Sequence, residues 1–266
     1  MKKLFVSFLC ASLLFLTICP FSKVIAGPAA KGAGYFELRV YHYSTGAQEA
    51  SIDSFLQNQY LPGLHAKGVS NIGVFKAIAN DTAADKKIFV FVPYKDLKQW
   101  EKLSLTQSNN PQFAKAGGSY LSAAYNAPAY TRFETIFMKA FELMTGITPP
   151  KLIGPKSERV YELRSYEGAS ESIYRNKVQM FNQGGELEIF SRLGFNPVFY
   201  GDVIYGSKMP NLMYMTTFEN RQSRDEHWKA FSSDPAWKTL SAKPEYQHNV
   251  SHSDIFFLRP TEYSDL

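Results

Sequence analysis

Apolar and polar positions along this chain fall into two alternating periods. Phe36, Leu38 and Val40 alternate with Glu37, Arg39 and Tyr41, the two-residue period of a strand. From Glu49 to His65 the apolar residues, among them Ile52, Phe55 and Leu56, recur at helical spacing, and Gly68 then stops the run. Residues 68–75 read as a turn into a second strand. The third strand, Ile88–Val92, is apolar on both alternating faces, so it should be covered on both sides. A second helix carries Trp100 and the Pro111-Gln112-Phe113 step, and a closing strand runs from Tyr130 to Phe141.

The same order returns further on. Tyr161-Glu162-Leu163-Arg164-Ser165-Tyr166 repeats Phe36-Glu37-Leu38-Arg39-Val40-Tyr41. A helical stretch, Ser170 to Leu193, ends at Gly194, and residues 194–200 turn into a strand. Leu212–Thr216 is apolar on both faces like its counterpart. Trp228 and Asp234-Pro235-Ala236-Trp237 match the second helix, with Asp234 as a cap and Pro235 at a first helical position. Ser253–Arg259 is the closing strand. Between the copies, Thr145 to Pro155 holds three prolines and two glycines, which disfavour helix and sheet. Gln107-Ser108-Asn109-Asn110 reads as a small surface insertion in the first copy.

The expected organisation is therefore a leader over 1–26, a first repeat over 35–144, a linker over 145–157 and a second repeat over 158–266. Strand, helix, strand, strand, helix, strand is the ferredoxin-like βαββαβ order, so the fold class is α+β. Helices cover only one face of such a sheet. Two tandem units can bury the other face by facing their sheets together as an intramolecular dimeric α+β barrel. Two independent sandwiches, the alternative, would leave the third strands half bare.

The N-terminus changes the charge picture. Lys2 and Lys3 precede an apolar run from Leu4 to Ile18, and Val24-Ile25-Ala26 precedes Gly27, the pattern of a secretory signal cleaved after Ala26. The run is short for a spanning helix, which needs about 20 apolar residues. Lipoprotein anchoring at Cys19 is not expected, since Ile18 stands where a lipobox wants a small residue and Pro20 follows. A periplasmic or secreted location follows from cleavage. Cleavage also removes both cysteines, Cys10 and Cys19, and with them any disulfide or thiolate-held metal. It takes three lysines from 29 basic residues, leaving 26 against 24 acids, so the formal net charge falls from +5 to about +2. There is no basic block with interleaved aromatics, which argues against a nucleic-acid partner.

Two segments carry a family resemblance: the opening strand Tyr161–Tyr166, and Trp228-Lys229-Ala230-Phe231-Ser232-Ser233-Asp234-Pro235-Ala236-Trp237. Both resemble the NIPSNAP domain. The ending Leu258-Arg259-Pro260-Thr261-Glu262-Tyr263-Ser264 is similar to that of exported bacterial proteins with tandem NIPSNAP domains. In the more divergent first copy the best signature is Tyr94-Lys95-Asp96-Leu97-Lys98-Gln99-Trp100. The resemblance implies the dimeric α+β barrel, and it implies no particular reaction. Barrels of that superfamily include cofactor-free oxygenating and haem-handling enzymes.

Candidate chemistry follows from strand alternation. If the apolar face of each opening strand meets the helices, Glu37, Arg39, Tyr41, Glu162, Arg164 and Tyr166 line the barrel interior. There they either pair with one another to satisfy a buried polar layer, or hold an anionic or carbonyl-bearing ligand through the guanidinium groups. His65 and His227 are the histidines on helices, each expected at a surface or helix end. His248 and His252 lie four residues apart where the chain enters its last strand, with no third ligand in a metal motif, so neither a metal nor a cofactor is expected. No phosphate loop, Gly-x-Ser-x-Gly elbow or dinucleotide fingerprint occurs, so no catalytic motif is identified. The leading expectation is small-molecule binding in the barrel interior. An oxygenase or isomerase, and a structural protein with a solid core, are the alternatives. Homo-oligomerisation stays open.

Overall fold

The computed structural model describes residues 34–108 and 118–266. The expected leader lies outside the described residues, as do Asn109, Asn110 and the Pro111–Phe113 step. Eight antiparallel strands close into one barrel: β1 (Tyr35–Tyr43), β2 (Gly73–Ala77), β3 (Lys86–Tyr94), β4 (Arg132–Ala140), β5 (Val160–Glu167), β6 (Asn196–Tyr205), β7 (Asn211–Phe218) and β8 (His252–Pro260). Around the barrel the order is β1-β3-β2-β8-β5-β7-β6-β4. Each half of the chain thus lays its four strands side by side, as β4-β1-β3-β2 and β8-β5-β7-β6. The β2–β8 and β4–β6 pairings close the two seams. Closure removes every free sheet edge.

Helices cover the outside. In the first half α1 (Gly46–Phe55) passes through a π-helical turn, Leu56–Tyr60, into α2 (Leu61–His65); α3 (Leu97–Ser108) and the short α4 (Gly118–Leu121) follow. In the second half, α5 (Glu171–Phe181) and α6 (Glu186–Arg192) replace the single helix expected over 170–193. The break falls at Gly185, whose φ of 94° is left-handed backbone that a glycine adopts without strain. Helices α7 (Arg221–Ser233) and α8 (Pro235–Ser241) complete the layer. Asp234 ends α7 and caps α8, accepting from the N–H groups of Ala236 and Trp237.

The two turn glycines act alike. Gly68 and Gly194 both have positive φ, 78° and 75°. After each, the next residue donates back into the helix, Val69 N–H to the Leu64 carbonyl and Phe195 N–H to the Phe190 carbonyl, both at 3.1 Å.

Three apolar clusters follow from alternation. One fills the barrel with Phe36, Leu38, Phe75, Phe91, Tyr161, Leu163, Phe199 and Met215. Phe91 stacks on Phe199 at 4.6 Å and Phe75 meets Tyr161 at 4.8 Å, so side chains of the two halves interlock across the axis. The other two clusters lie between strands and helices, one in each half. Strands β3 and β7 contribute to an inner and an outer cluster at once, and every residue of β7 is buried. Among the described residues no helix is long and apolar enough to cross a membrane.

Candidate functional site

The face assignment made from the sequence is reversed. Phe36, Leu38 and Val40 point into the barrel, while Glu37, Arg39 and Tyr41 lie under the helices. The same holds for Leu163 against Glu162, Arg164 and Tyr166. The reason is donor supply. The barrel centre packs apolar side chains from all eight strands and offers a carboxylate little beyond the Tyr161 hydroxyl, whereas the helices bring Trp100 in the first half and Arg224 and Trp228 in the second.

Each cluster is closely knit. Glu37 accepts from Arg39 Nε at 2.5 Å, the Tyr94 hydroxyl at 3.0 Å and Trp100 Nε1 at 3.1 Å. Arg39 lies over the Tyr60 ring at 4.6 Å, and Tyr41 packs among Tyr120, Tyr130 and Phe133. Glu162 is fully buried and accepts from Arg164 Nε at 2.6 Å, from Arg224 Nε and Nη2 at 2.6 and 3.0 Å, and from Trp228 Nε1 at 2.9 Å. Burial alone would push its carboxyl up, but Arg224 and Arg164 more than offset that and hold it below the usual range. Arg164 stacks over Trp228 at 3.7 Å and donates to the Tyr166 hydroxyl at 2.7 Å, which in turn meets the Tyr214 hydroxyl at 2.9 Å. All six candidates from the opening strands therefore belong to two buried polar layers between sheet and helices, each paired within its own half.

A third buried pair sits nearby. Lys177 of α5 donates to Glu186 of α6 at 2.8 Å, both are buried, and Phe181 lies under the ammonium at 4.6 Å. Burial holds the Glu186 carboxyl above its usual range. Nothing in the sequence spacing announced this pair, because its members lie on different helices.

The barrel is not solid throughout. At the end formed by the C-termini of β1 and β5, a cavity of about 550 Å³ opens into the interior. Its deeper wall is apolar, from Leu38, Val40, Phe89, Ile136, Met213 and Phe256, and its rim is polar. On the rim His42 is buried between two acids. Its Nδ1 meets both Asp85 oxygens at 2.8 and 3.0 Å, and its Nε2 meets Glu134 Oε1 at 2.8 Å. Both ring nitrogens are thus engaged by carboxylates. Lys87 pairs with Asp85 at 2.9 Å and Arg132 with Glu134 at 3.1 Å. Burial opposes ionisation of Asp85, yet Lys87 and His42 hold its carboxyl below the usual range.

Across the rim, Asn211 donates to Ser165 Oγ at 2.9 Å, and its buried amide oxygen has no hydrogen-bond donor. His42 went unnoticed in the sequence, although it continues the inward series Phe36, Leu38, Val40 by two residues; reversing the faces hid it. The helical histidines lie elsewhere. His65 bonds Asp265 at 2.9 Å, His227 bonds the Ser223 carbonyl at 2.7 Å, and neither lines the cavity.

A barrel closed by two four-stranded halves, helices outside, and buried Glu-Arg-Trp layers defines an α+β barrel protein. The NIPSNAP family model matches residues 161–265, so the second half of the chain carries a NIPSNAP domain. No curated protein matches the chain. Among solved structures, a "putative monooxygenase" from Lactobacillus acidophilus is 13% identical, with 86% of this chain and 94% of that one covered and a TM-score of 0.56. Another from Fusobacterium nucleatum is 10% identical, with 86% and 93% covered and a TM-score of 0.57. These two share the fold. A NIPSNAP family protein from Agrobacterium tumefaciens is 19% identical, with 41% of this chain and 98% of that one covered and a TM-score of 0.36.

Proposed function

We propose that this chain is an exported binding protein that takes a small amphipathic organic molecule into the barrel mouth. The observation that carries the reading is the cavity itself: an apolar wall with Phe89 and Phe256, under a rim where Asn211 keeps a buried acceptor without a donor. An apolar or aromatic body would lie on the wall, and a hydroxyl or amide N–H of the same molecule would satisfy Asn211. Binding is favoured over turnover because both nitrogens of His42 are already engaged, which leaves it no free position for proton transfer. The packed section of the barrel supplies the rigid floor.

Two further readings belong to the same proposal. The matching strand orders, the paired turn glycines and the two Glu-Arg-Trp layers support descent of both halves from one ferredoxin-like unit by duplication. The Leu4–Ile18 run with Ala26 before Gly27 supports export. An intact mass matching residues 27–266, on protein recovered from outside the cytoplasm, would bear this out, and an uncleaved mass would sink it.

The test of binding is a thermal-shift screen with quinones, aromatic acids, aromatic alcohols and sugar acids, on the wild type and on Asn211→Leu. A compound that raises the midpoint of the wild type and not of the variant supports the cavity. Stabilisation that survives Asn211→Leu undiminished would place the molecule elsewhere and overturn the reading.

A further inference from the structure

Register places His42 and Glu167 at equivalent points of the rim: His42 pairs with Lys87 and Arg132, and Glu167 with Asn211 and His252. Glu134 and Asp254 correspond in the same way, opposite Val40 and Ser165. Each side of the mouth therefore holds one histidine and two acids, His42 with Asp85 and Glu134 on one side and His252 with Glu167 and Asp254 on the other. Their states differ. On the first side the imidazole fills the space between the acids through contacts of 2.8–3.0 Å. On the second, His252 Nε2 stands 3.4 Å from Asp254 Oδ1, and among the described residues the Glu167 carboxylate has neither an ion pair nor a side-chain hydrogen bond.

We propose that Glu167, His252 and Asp254 form a binding site for a first-row divalent cation at the rim of the barrel cavity. Their three donor atoms lie within 4.8 Å of one another. Donors held at about 2.0–2.2 Å from one cation are at most about 4.4 Å apart, so the triad stands near coordinating distance already. One imidazole and two carboxylates suit zinc, manganese or iron(II) better than magnesium, which prefers oxygen ligands and retains its waters. The sequence pointed away from a metal because its ligands were sought beside His248; β-pairing supplies them from β5 instead.

A second observation points the same way. Asn211 faces Glu167 directly across the β5–β7 ladder, so the two side chains share the inward face. Its Nδ2 is committed to Ser165, two residues below Glu167, and Oδ1, on the other arm of the amide, is buried without a donor. An oxygen that lacks a hydrogen-bond donor is satisfied by a cation-bound water as well as by the hydroxyl or amide N–H of an organic ligand, so in the absence of such a ligand Asn211 Oδ1 is open to the cation. Lys208 now neutralises Asp254 through Oδ2, which leaves Oδ1 on the His252 side for the metal. Lysine and metal would thus compete for part of the same charge. Because Asp254 also lines the cavity, the cation would sit at its entrance.

Metal binding is read with no organic ligand present, so its outcome is separate from that of the cavity screen. Chelator-treated full chain is titrated with Co²⁺, following visible absorption, and with Zn²⁺ and Mn²⁺, following heat and thermal midpoint. Expected are one cation per chain, a thermal shift that grows with metal concentration, and weakening by roughly tenfold or more in both Glu167→Gln and His252→Ala. Lys208→Ala should tighten binding by removing the competitor. These rim side chains are exposed or half-buried, and circular dichroism on each variant confirms that the fold is kept. Absence of binding at millimolar metal would overturn the proposal. So would binding that ignores Glu167→Gln and His252→Ala but disappears in His42→Asn, which would put the cation on the opposite side.

Discussion

Trp228 donates its indole N–H to Glu162 at 2.9 Å, and through that bond helix α7 is fixed to the outer face of β5. Trp100 does the same for Glu37 at 3.1 Å in the first half. The two layers are not equally demanding. Glu162 answers two guanidinium groups, Arg164 and Arg224, whereas Glu37 answers Arg39 alone.

Removing Glu162 leaves two largely buried cations side by side, with only the exposed Asp225, 2.9 Å from Arg224 Nη1, as a remaining counter-ion. Glu162→Ala is expected to cost about 3–5 kcal/mol, and Glu37→Ala about 1–3 kcal/mol, by the usual penalties for stranding buried charges and hydrogen bonds. Urea denaturation of the two variants measures the difference. Equal losses would contradict the assignment of the second layer as the more charged one.

Acid acts on the same carboxylate. Arg224 and Arg164 hold the Glu162 pKa below its unfolded value, so between the two values the unfolded chain binds more protons than the folded one. Stability from this group is fully present above about pH 4.3, the ordinary glutamate value, and is lost as pH falls through the folded value. A series of denaturation curves from pH 6 to pH 3 should therefore fall more steeply for the wild type than for Glu162→Gln, which no longer titrates there.

Lys177 and Glu186 make a different demand. Both are buried in the aromatic cluster of the second half, where desolvation cancels much of their attraction. Lys177→Met or Glu186→Leu alone should cost about 3–5 kcal/mol, because each leaves the other group unpaired, while the double variant should come within about 1 kcal/mol of the wild type. Denaturant midpoints of all four proteins complete the cycle. Additive losses in the double variant would mean that the groups do not act as a pair.

How far the sequence foretold this depends on the kind of information each residue carries. Alternation and turn glycines mark elements, so the strands themselves and the double-sided burial of β3 and β7 could be read, the latter from Ile88 to Val92 and from Leu212 to Thr216. Alternation separates two faces without saying which is inside. Glu37 and Glu162 look like cavity residues until their donors are known, and Trp100 and Arg224 lie 63 and 62 residues away in the chain. The rim sites were hidden for a related reason. His42 with Glu134, and His252 with Glu167, meet only through strand pairing, so no local spacing could show them.

The barrel is packed in one part and open in another, and paired substitutions separate the two. Val40 lines the cavity, whereas Val198 is fully buried in the same apolar cluster and does not line it. Enlarging Val198 to Phe forces close-packed neighbours such as Phe199 and Met215 apart, at a cost of about 1–3 kcal/mol. Enlarging Val40 to Phe places the ring in empty space and buries more apolar surface, so its effect should stay within about 1 kcal/mol of zero. Val40→Phe should also abolish binding of any compound found to occupy the mouth, since the ring takes the volume that the ligand's body would use. Thermal midpoints of both variants, with and without that compound, decide the matter. A loss of stability as large in Val40→Phe as in Val198→Phe would mean that the mouth closes on itself in solution, and a ligand that still binds Val40→Phe would have to sit outside the barrel.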